Sequence, residues 1–284
     1  MKTIRIACFI KGANCLTTRH TGIRRGAAIA ALLAGLALPA VWTAAPRAAA
    51  EGQQPEARRV AVVIDDFGNN MKGTEQMLKL PIPLTVAVMP FLPSTKADAE
   101  AAHAQGRDVI VHLPMEPVRG KKSWLGPKAI LTGLSDEEIR TRVEAAIADV
   151  PHAVGMNNHM GSKATADERV MRIVLQVCRE RGLFFLDSRT SYKTVVPKVA
   201  KELGVPLLQN DVFLDDVYTH QHVSRQIAVL KEIVGKHEKT VVIGHVGPPG
   251  LITSSALKAA APSLQTQARF VKLSELLPSA GALP

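Results

Sequence analysis

Cysteine is scarce in this chain. Of three in 284 residues, Cys8 and Cys15 sit near the start and only Cys178 lies further on. That excludes a disulfide scaffold and a cysteine-rich zinc module, and one leftover thiol carries no information on redox compartment. Cys178 falls within a helical pattern and reads as a small buried hydrophobe. Aromatic residues make up 4% of the chain, too few for a long processive aromatic groove. Acidic residues are absent from positions 1–50, which hold Lys2, Arg5, Lys11, Arg19, Arg24, Arg25 and Arg47. Setting those seven aside leaves 28 basic against 25 acidic residues, so the formal charge of +10 falls to +3 for the remainder. The folded part therefore lacks the basic excess of a nucleic-acid footprint, and no nucleic acid is expected as a partner. A hydrophobic fraction of 46% excludes a largely disordered chain.

What is present begins with a leader. A basic stretch through Arg25 precedes the apolar run Gly26 to Trp42, and Ala48-Ala49-Ala50 follows as a small-residue cleavage site. This is the order of an export signal, and Arg24-Arg25 hints at the twin-arginine route. At 17 residues the run is just short of a usual spanning helix. Residues 1–50 thus read as a cleaved signal peptide in preference to an N-terminal membrane anchor. Any membrane attachment runs through residues 26–42, and both readings place the folded part outside the cytoplasm, periplasmic or extracellular. Residues 51–59 are a polar linker, 60–276 the folded domain and 277–284 a C-terminal tail.

Beyond the linker, short β-branched runs alternate with helical patterns. Strands are expected at Val60–Asp65, Leu84–Pro90, Asp108–Pro114, Ala153–Met156, Leu183–Asp187, Val205–Gln209 and Thr240–Gly244, with a last apolar piece at Arg269–Leu273. Ser135 with Glu138, and Thr165 with Glu168, form capping boxes ahead of helices ending near Asp149 and Gly182; Thr219 to Lys236 is a third helix. Strands apolar on both faces, alternating with helices, predict a parallel sheet covered by helices. Seven or eight units in this length fit a closed or nearly closed (β/α) barrel, with a doubly wound open sheet as the alternative.

Polar clusters end five of these strands: Asp65-Asp66, His112 to Glu116, Asn157 to Ser162, Asp187 to Thr190, and His245. C-terminal strand ends share one face in parallel α/β folds, and active sites form there. Asp66, His112 and His159 offer one carboxylate oxygen and two imidazole nitrogens, a set suited to one divalent ion, zinc first among them. Asp65 is placed to take a proton from water, and His245 to protonate a leaving group. The chemistry expected is metal-assisted hydrolysis of an amide or ester. No second carboxylate-rich set supports a two-metal phosphoesterase.

Taken in order, IDDFG, PLTVAVMP, HLPMEP, NNHMGSK, FFLDSRT and GH resemble the divergent polysaccharide deacetylase family, within the NodB-like deacetylases. The resemblance spans about Val60 to His245. It implies an irregular (β/α)7-type barrel and removal of N-acetyl or O-acetyl groups from an envelope or extracellular glycan. It also implies a base and a ligand in the Asp-Asp pair and a general acid in His245. NodB-like enzymes use two ligands in an HxxxH pair; here His112 is followed four residues later by Glu116. Either His159 substitutes, the preferred reading, or Glu116 is the third ligand or a carboxylate orienting one. A barrel that has lost activity and binds glycan or an envelope partner is the competing reading. The VGPPG following His245 departs from the family pattern.

Softer candidates complete the site. Asp187 either orients His245 or another imidazole, or ties the barrel rim together with Arg189; Arg189 otherwise binds a sugar or an oxyanion. Asn157 and Asn158 either donate to an oxyanion or hold the turn before Met160-Gly161. Trp124 is either a sugar-stacking residue or the pin of a long loop.

Overall fold

The computed structural model describes residues 57–278. The expected signal or anchor, most of the linker and residues 279–284 of the tail lie outside them. No helix among the described residues is long and apolar enough to cross a membrane.

Among the described residues, nine strands form one sheet in which every pairing is parallel. They are β1 (Arg59–Phe67), β2 (Thr85–Val88), β3 (Asp108–Met115), β4 (Ala153–Met160), β5 (Phe184–Asp187), β6 (Leu207–Gln209), β7 (Val212–Phe213), β8 (Lys239–His245) and β9 (Arg269–Val271). The order is β6-β5-β4-β3-β2-β1-β8-β7, with β9 added on β1. Seven α-helices among the described residues cover the sheet: α1 (Thr74–Leu78), α2 (Thr95–Ala104), α3 (Asp136–Asp149), α4 (Glu168–Glu180), α5 (Val196–Leu203), α6 (His220–Val234) and α7 (Gly250–Gln265).

The barrel is nearly closed, and its seam is not a strand pair. The terminal strands β6 and β7 are consecutive in sequence and do not pair. Between them, Asn210 N donates to Asp187 O of β5 at 3.0 Å, and Asp211 N donates to Val241 O of β8 at 2.9 Å. The two-residue connection thus joins both edges of the curled sheet. Strand β7 was not expected, because two residues carry no periodicity.

Period-2 alternation sorts the strands into two apolar layers. Val60, Val62 and Ile64 of β1 pack outward into the large cluster under the helices. Ala61 and Val63 point inward, joining Ala87, Ile110, Phe184, Leu186, Val241 and Ile243 in a smaller cluster inside the barrel. Following the inner rows toward the strand C-termini replaces apolar residues by polar ones: Val63 is followed by Asp65, Ile110 by His112, and Ile243 by His245. Packing is tight in the lower layer, where a Cβ on Gly155 would lie 2.5 Å from the Phe184 ring.

Three local expectations are corrected. Strand β3 continues past Pro114 to Met115, since the Pro114 carbonyl accepts Ile130 N at 2.8 Å. Strand β4 continues past Met156 and carries Asn157, Asn158 and His159 within it. Helix α4 is capped by Asp167, which accepts Val170 N at 3.1 Å. Thr165 instead donates its hydroxyl to Gly161 O at 2.9 Å in a preceding 3-10 turn. The Ser135 cap of α3 is formed as expected.

Candidate metal centre and its flanking groups

Neighbouring residues of a regular strand face opposite ways, so Asp65 and Asp66 could not both serve one site. A β-bulge resolves this. Ile64 pairs with Val86 and Phe67 with Val88, so β1 holds one residue more than β2 between those points. The extra residue, Asp66, has φ +69°, which turns its carboxylate toward the same cavity as that of Asp65.

There Asp66 Oδ1 lies 3.3 Å from His112 Nε2 and 3.1 Å from His159 Nδ1, and the two nitrogens are 3.1 Å apart. The tautomers are set from behind. His112 Nδ1 lies 2.7 Å from Asn157 Oδ1, and His159 Nε2 lies 2.9 Å from the Trp124 carbonyl. Both partners are oxygens that can only accept, so each imidazole spends its N–H there and turns a lone pair toward Asp66. Asp66 Oδ1 is itself buried without a hydrogen-bond partner. Three acceptors within 3.1–3.3 Å of one another call for a cation. Tetrahedral ligands at about 2.0–2.1 Å from zinc stand about 3.3 Å apart, so the residues present fit such an ion. Among the described residues this is the one group of three or more His, Cys, Asp or Glu with that convergence.

Burial would raise the Asp66 carboxyl, but positive charge in its place between the two imidazoles, a proton on their facing nitrogens or a cation, holds it well below the usual carboxylate range. For Asp65, burial prevails over the pull of His112 and His245 and pushes the carboxyl up. Asp65 Oδ1 accepts Asn157 Nδ2 at 2.9 Å, while Oδ2 lies 3.6 Å from His112 Nε2, beside the ligand set. Asn157 therefore bridges the candidate base and a candidate ligand through its two amide ends.

His245 is opposite Asp65 in the β1–β8 register. Its Nδ1 lies 2.7 Å from Asp215 Oδ1. Asp215 is fully buried, and its Oδ2 accepts His245 N at 2.9 Å and Thr253 Oγ1 at 2.6 Å. Burial opposes a charge on His245, but the Asp215 hydrogen bond and the fields of Asp66, Asp215 and Asp65 raise it to about 10.

Other expected site residues occupy different posts. Asp187 does not orient His245. It is buried, accepts Arg189 N at 2.8 Å and Thr194 Oγ1 at 2.9 Å, and burial pushes its carboxyl up. It ties the rim after β5, where Arg189 is exposed with its side chain 3.4 Å from Asn210 O. Asn157 and Asn158 are buried supports and not oxyanion donors; Asn158 Nδ2 donates to Met160 O at 2.8 Å and its Oδ1 accepts Ser188 N at 3.0 Å. Glu116 stands outside the ligand group. Its Oε1 accepts Lys163 Nζ at 2.7 Å, and its Oε2 accepts Thr132 N and Oγ1, both at 2.7 Å. Both oxygens are spent on joining loops. Trp124 is 58% exposed, and its backbone, not its ring, serves His159.

Sequence reasoning missed Asp215, Thr253 and Tyr218. Tyr218 lies in the loop after β7, within the fields of Asp66 and Asp215, which with burial push its hydroxyl up. The one signal for Asp215 was positional: VFLDD ends an apolar run with paired acids, as VVIDD does.

Comparison with known proteins gives the family and the fold of this chain. The model of the divergent polysaccharide deacetylase family matches residues 62–277, and the chain belongs to that family. An uncharacterised protein of Haemophilus influenzae is 37% identical over 226 residues, covering 80% of this chain and 79% of that one. The uncharacterised protein YibQ of Escherichia coli is 35% identical over 221 residues, covering 78% and 68%. The crystal structure of an uncharacterised protein from Agrobacterium tumefaciens has the same fold, with a TM-score of 0.70 and 22% identity over 78% of this chain and 90% of that one.

Proposed function

We propose that this chain is a metal-dependent hydrolase that removes acetyl groups, N-linked in the first instance, from a glycan of the cell envelope or exterior. The observation that carries the reading is the convergence of three lone-pair atoms, Asp66 Oδ1, His112 Nε2 and His159 Nδ1, with a buried carboxylate and a half-buried imidazole beside them. Those three atoms would hold one divalent ion, zinc by the character of the donors. Such an ion, when bound, acidifies water and polarises the acetyl carbonyl.

The chain's own groups move the protons. Asp65, raised by burial, is a stronger base than an exposed carboxylate and takes the proton of the attacking water. As the new C–O bond forms and the C–N bond breaks, His245 gives its proton to the departing amine. Asp215 fixes His245 by Nδ1, which directs the Nε2 proton into the cavity, and stabilises the imidazolium. Acetate and a free amine result, and solvent exchange resets Asp65 and His245.

The test is acetate release from short N-acetylated oligosaccharides by the full chain supplied with zinc. Release should fall at least about a hundredfold in Asp65→Asn and in His245→Gln. Release that persists in both variants, or none from any acetylated glycan by the zinc-loaded wild type, contradicts the reading.

A further inference from the structure

We propose that the glycan bound at this site is anionic, with its acidic groups held on the side of the metal centre built by the loops after β3 and β5. The inference rests on reading the site as a glycan site and adds the charge of the polymer.

Two loops flank the end of β4, one on each side. The loop of residues 116–135 is tied there by the Trp124 carbonyl to His159 at 2.9 Å and by Val118 N to Ser162 Oγ at 3.0 Å. The loop of residues 188–195 is tied by Thr190 Oγ1 to Met160 O at 2.8 Å and by Ser188 N to Asn158 Oδ1 at 3.0 Å. Both surfaces are thus fixed beside ligand His159.

The aromatic residues with a polar edge gather on this face. Among the described residues the one Trp and both Tyr are exposed: Trp124, Tyr192 at 93%, and Tyr218. Phe67, Phe184 and Phe185 are buried in the two cores. Exposed rings on loops at strand C-termini present flat apolar faces suited to pyranose rings.

Cations accompany two of these rings. Lys121 Nζ is 5.4 Å from the Trp124 ring centroid, and Lys193 Nζ is 5.8 Å from that of Tyr192. Arg119 and Arg189 are exposed on the same loops. The sequence holds no acid between Glu116 and Asp136, or between Asp187 and Glu202. Glu116 is already matched by Lys163, and neither Lys121 nor Lys193 pairs with a carboxylate among the described residues. Elsewhere on the surface some cations face an acid, as Lys79, Arg140, Arg142, Arg172 and Lys236 do, and others on the helices, such as Lys96, Arg225 and Lys258, face none among the described residues.

The opposite side of the site has the other sign. The loop after β7 carries Asp215, spent on His245, and Asp216, which faces His222. Positive charge therefore lies on one flank, close to a site that itself takes a cation. A neutral glycan leaves those cations uncompensated. Carboxylates or phosphates spaced along a polymer pair with them while sugar faces stack on the adjoining rings.

The test is equilibrium binding to the zinc-loaded full chain of two N-acetylated hexasaccharides. One alternates N-acetylglucosamine with glucuronate and the other is all N-acetylglucosamine; a phosphorylated version of the second separates phosphate from carboxylate. The acidic oligomers should bind about tenfold tighter at low ionic strength, an advantage that shrinks with added salt. The double variant Lys121→Gln, Lys193→Gln should bring their affinity down to that of the neutral one. Equal or tighter binding of the neutral oligomer, a preference that survives in the double variant, or binding of neither oligomer overturns the proposal. Acetate release without an acidic preference discards this inference and keeps the hydrolase; an acidic preference without acetate release does the reverse.

Discussion

Asn157 does more for the site than its neutrality suggests. One amide group holds His112 in the tautomer that bares Nε2 and anchors Asp65 beside it. Replacing it by Ala leaves two buried polar groups unpaired. Asn157→Ala should weaken zinc binding about 10- to 100-fold in a competitive titration and lower stability by about 2–4 kcal/mol in urea unfolding. Asp215 sets the proton donor in the same way. Activity needs Asp65 ionised and His245 protonated, so the rate should fall on the acid side as Asp65 gains a proton and on the alkaline side as His245 loses one. The Asp215 hydrogen bond favours the charged form of His245 and raises its pKa above the usual imidazole range. Asp215→Asn withdraws that support, so the alkaline limb of the pH–rate profile should move to lower pH; an unmoved limb would assign it to another group. Asp66, His112 and His159 were legible because an acid and two imidazoles ended apolar runs. Asp215 was not, since in FLDDVY either acid could have capped the following helix, and only the fold shows which one His245 meets.

At the scale of elements, the bulge in β1 is the device that gives one strand two usable carboxylates. Asp66 pays for it with a left-handed backbone that glycine adopts freely. Both Asp66→Gly and Asp66→Ala should abolish zinc binding, but the glycine variant should be more stable than the alanine variant by about 1 kcal/mol, read from paired denaturant curves. The lower layer of the barrel tolerates less. A methyl on Gly155 collides with the Phe184 ring, so Gly155→Ala should cost about 1–3 kcal/mol, seen as a fall in Tm. Strand positions were readable from β-branched runs bounded by turns. Their ends were not, because Asn157, Asn158 and His159 look like loop residues until their hydrogen bonds across the inner face are known. The Thr165 cap failed for a related reason: Thr165 with Glu168 fits the capping box, yet Asp167, which has Val170 three residues on and does not fit it, is the one positioned to accept Val170 N.

Over the whole molecule, the curled sheet places apolar side chains at the bottom of the inner rows and ionisable ones at the top. The strand order and the Asn210–Asp211 seam then bring β1, β3, β4 and β8 to one cavity. Alternation gave a parallel sheet covered by helices and favoured a barrel over an open sheet, and the family resemblance implied the barrel, whereas its seam depended on two backbone hydrogen bonds that leave no mark in sequence. Three acceptors held face to face inside this frame are a standing electrostatic cost that a divalent cation relieves. Zinc at about 100-fold above its Kd should raise Tm by about 5–10 °C, and a chelator should reverse the change. The central claim is tested most directly by metal stoichiometry on the full chain supplied with zinc, beside Asp66→Ala, His112→Ala, His159→Ala and Glu116→Gln. One ion per chain, lost in the first three variants and retained in Glu116→Gln, is the predicted result. No bound ion in the wild type, or an ion that survives His159→Ala and is lost in Glu116→Gln, would contradict the account.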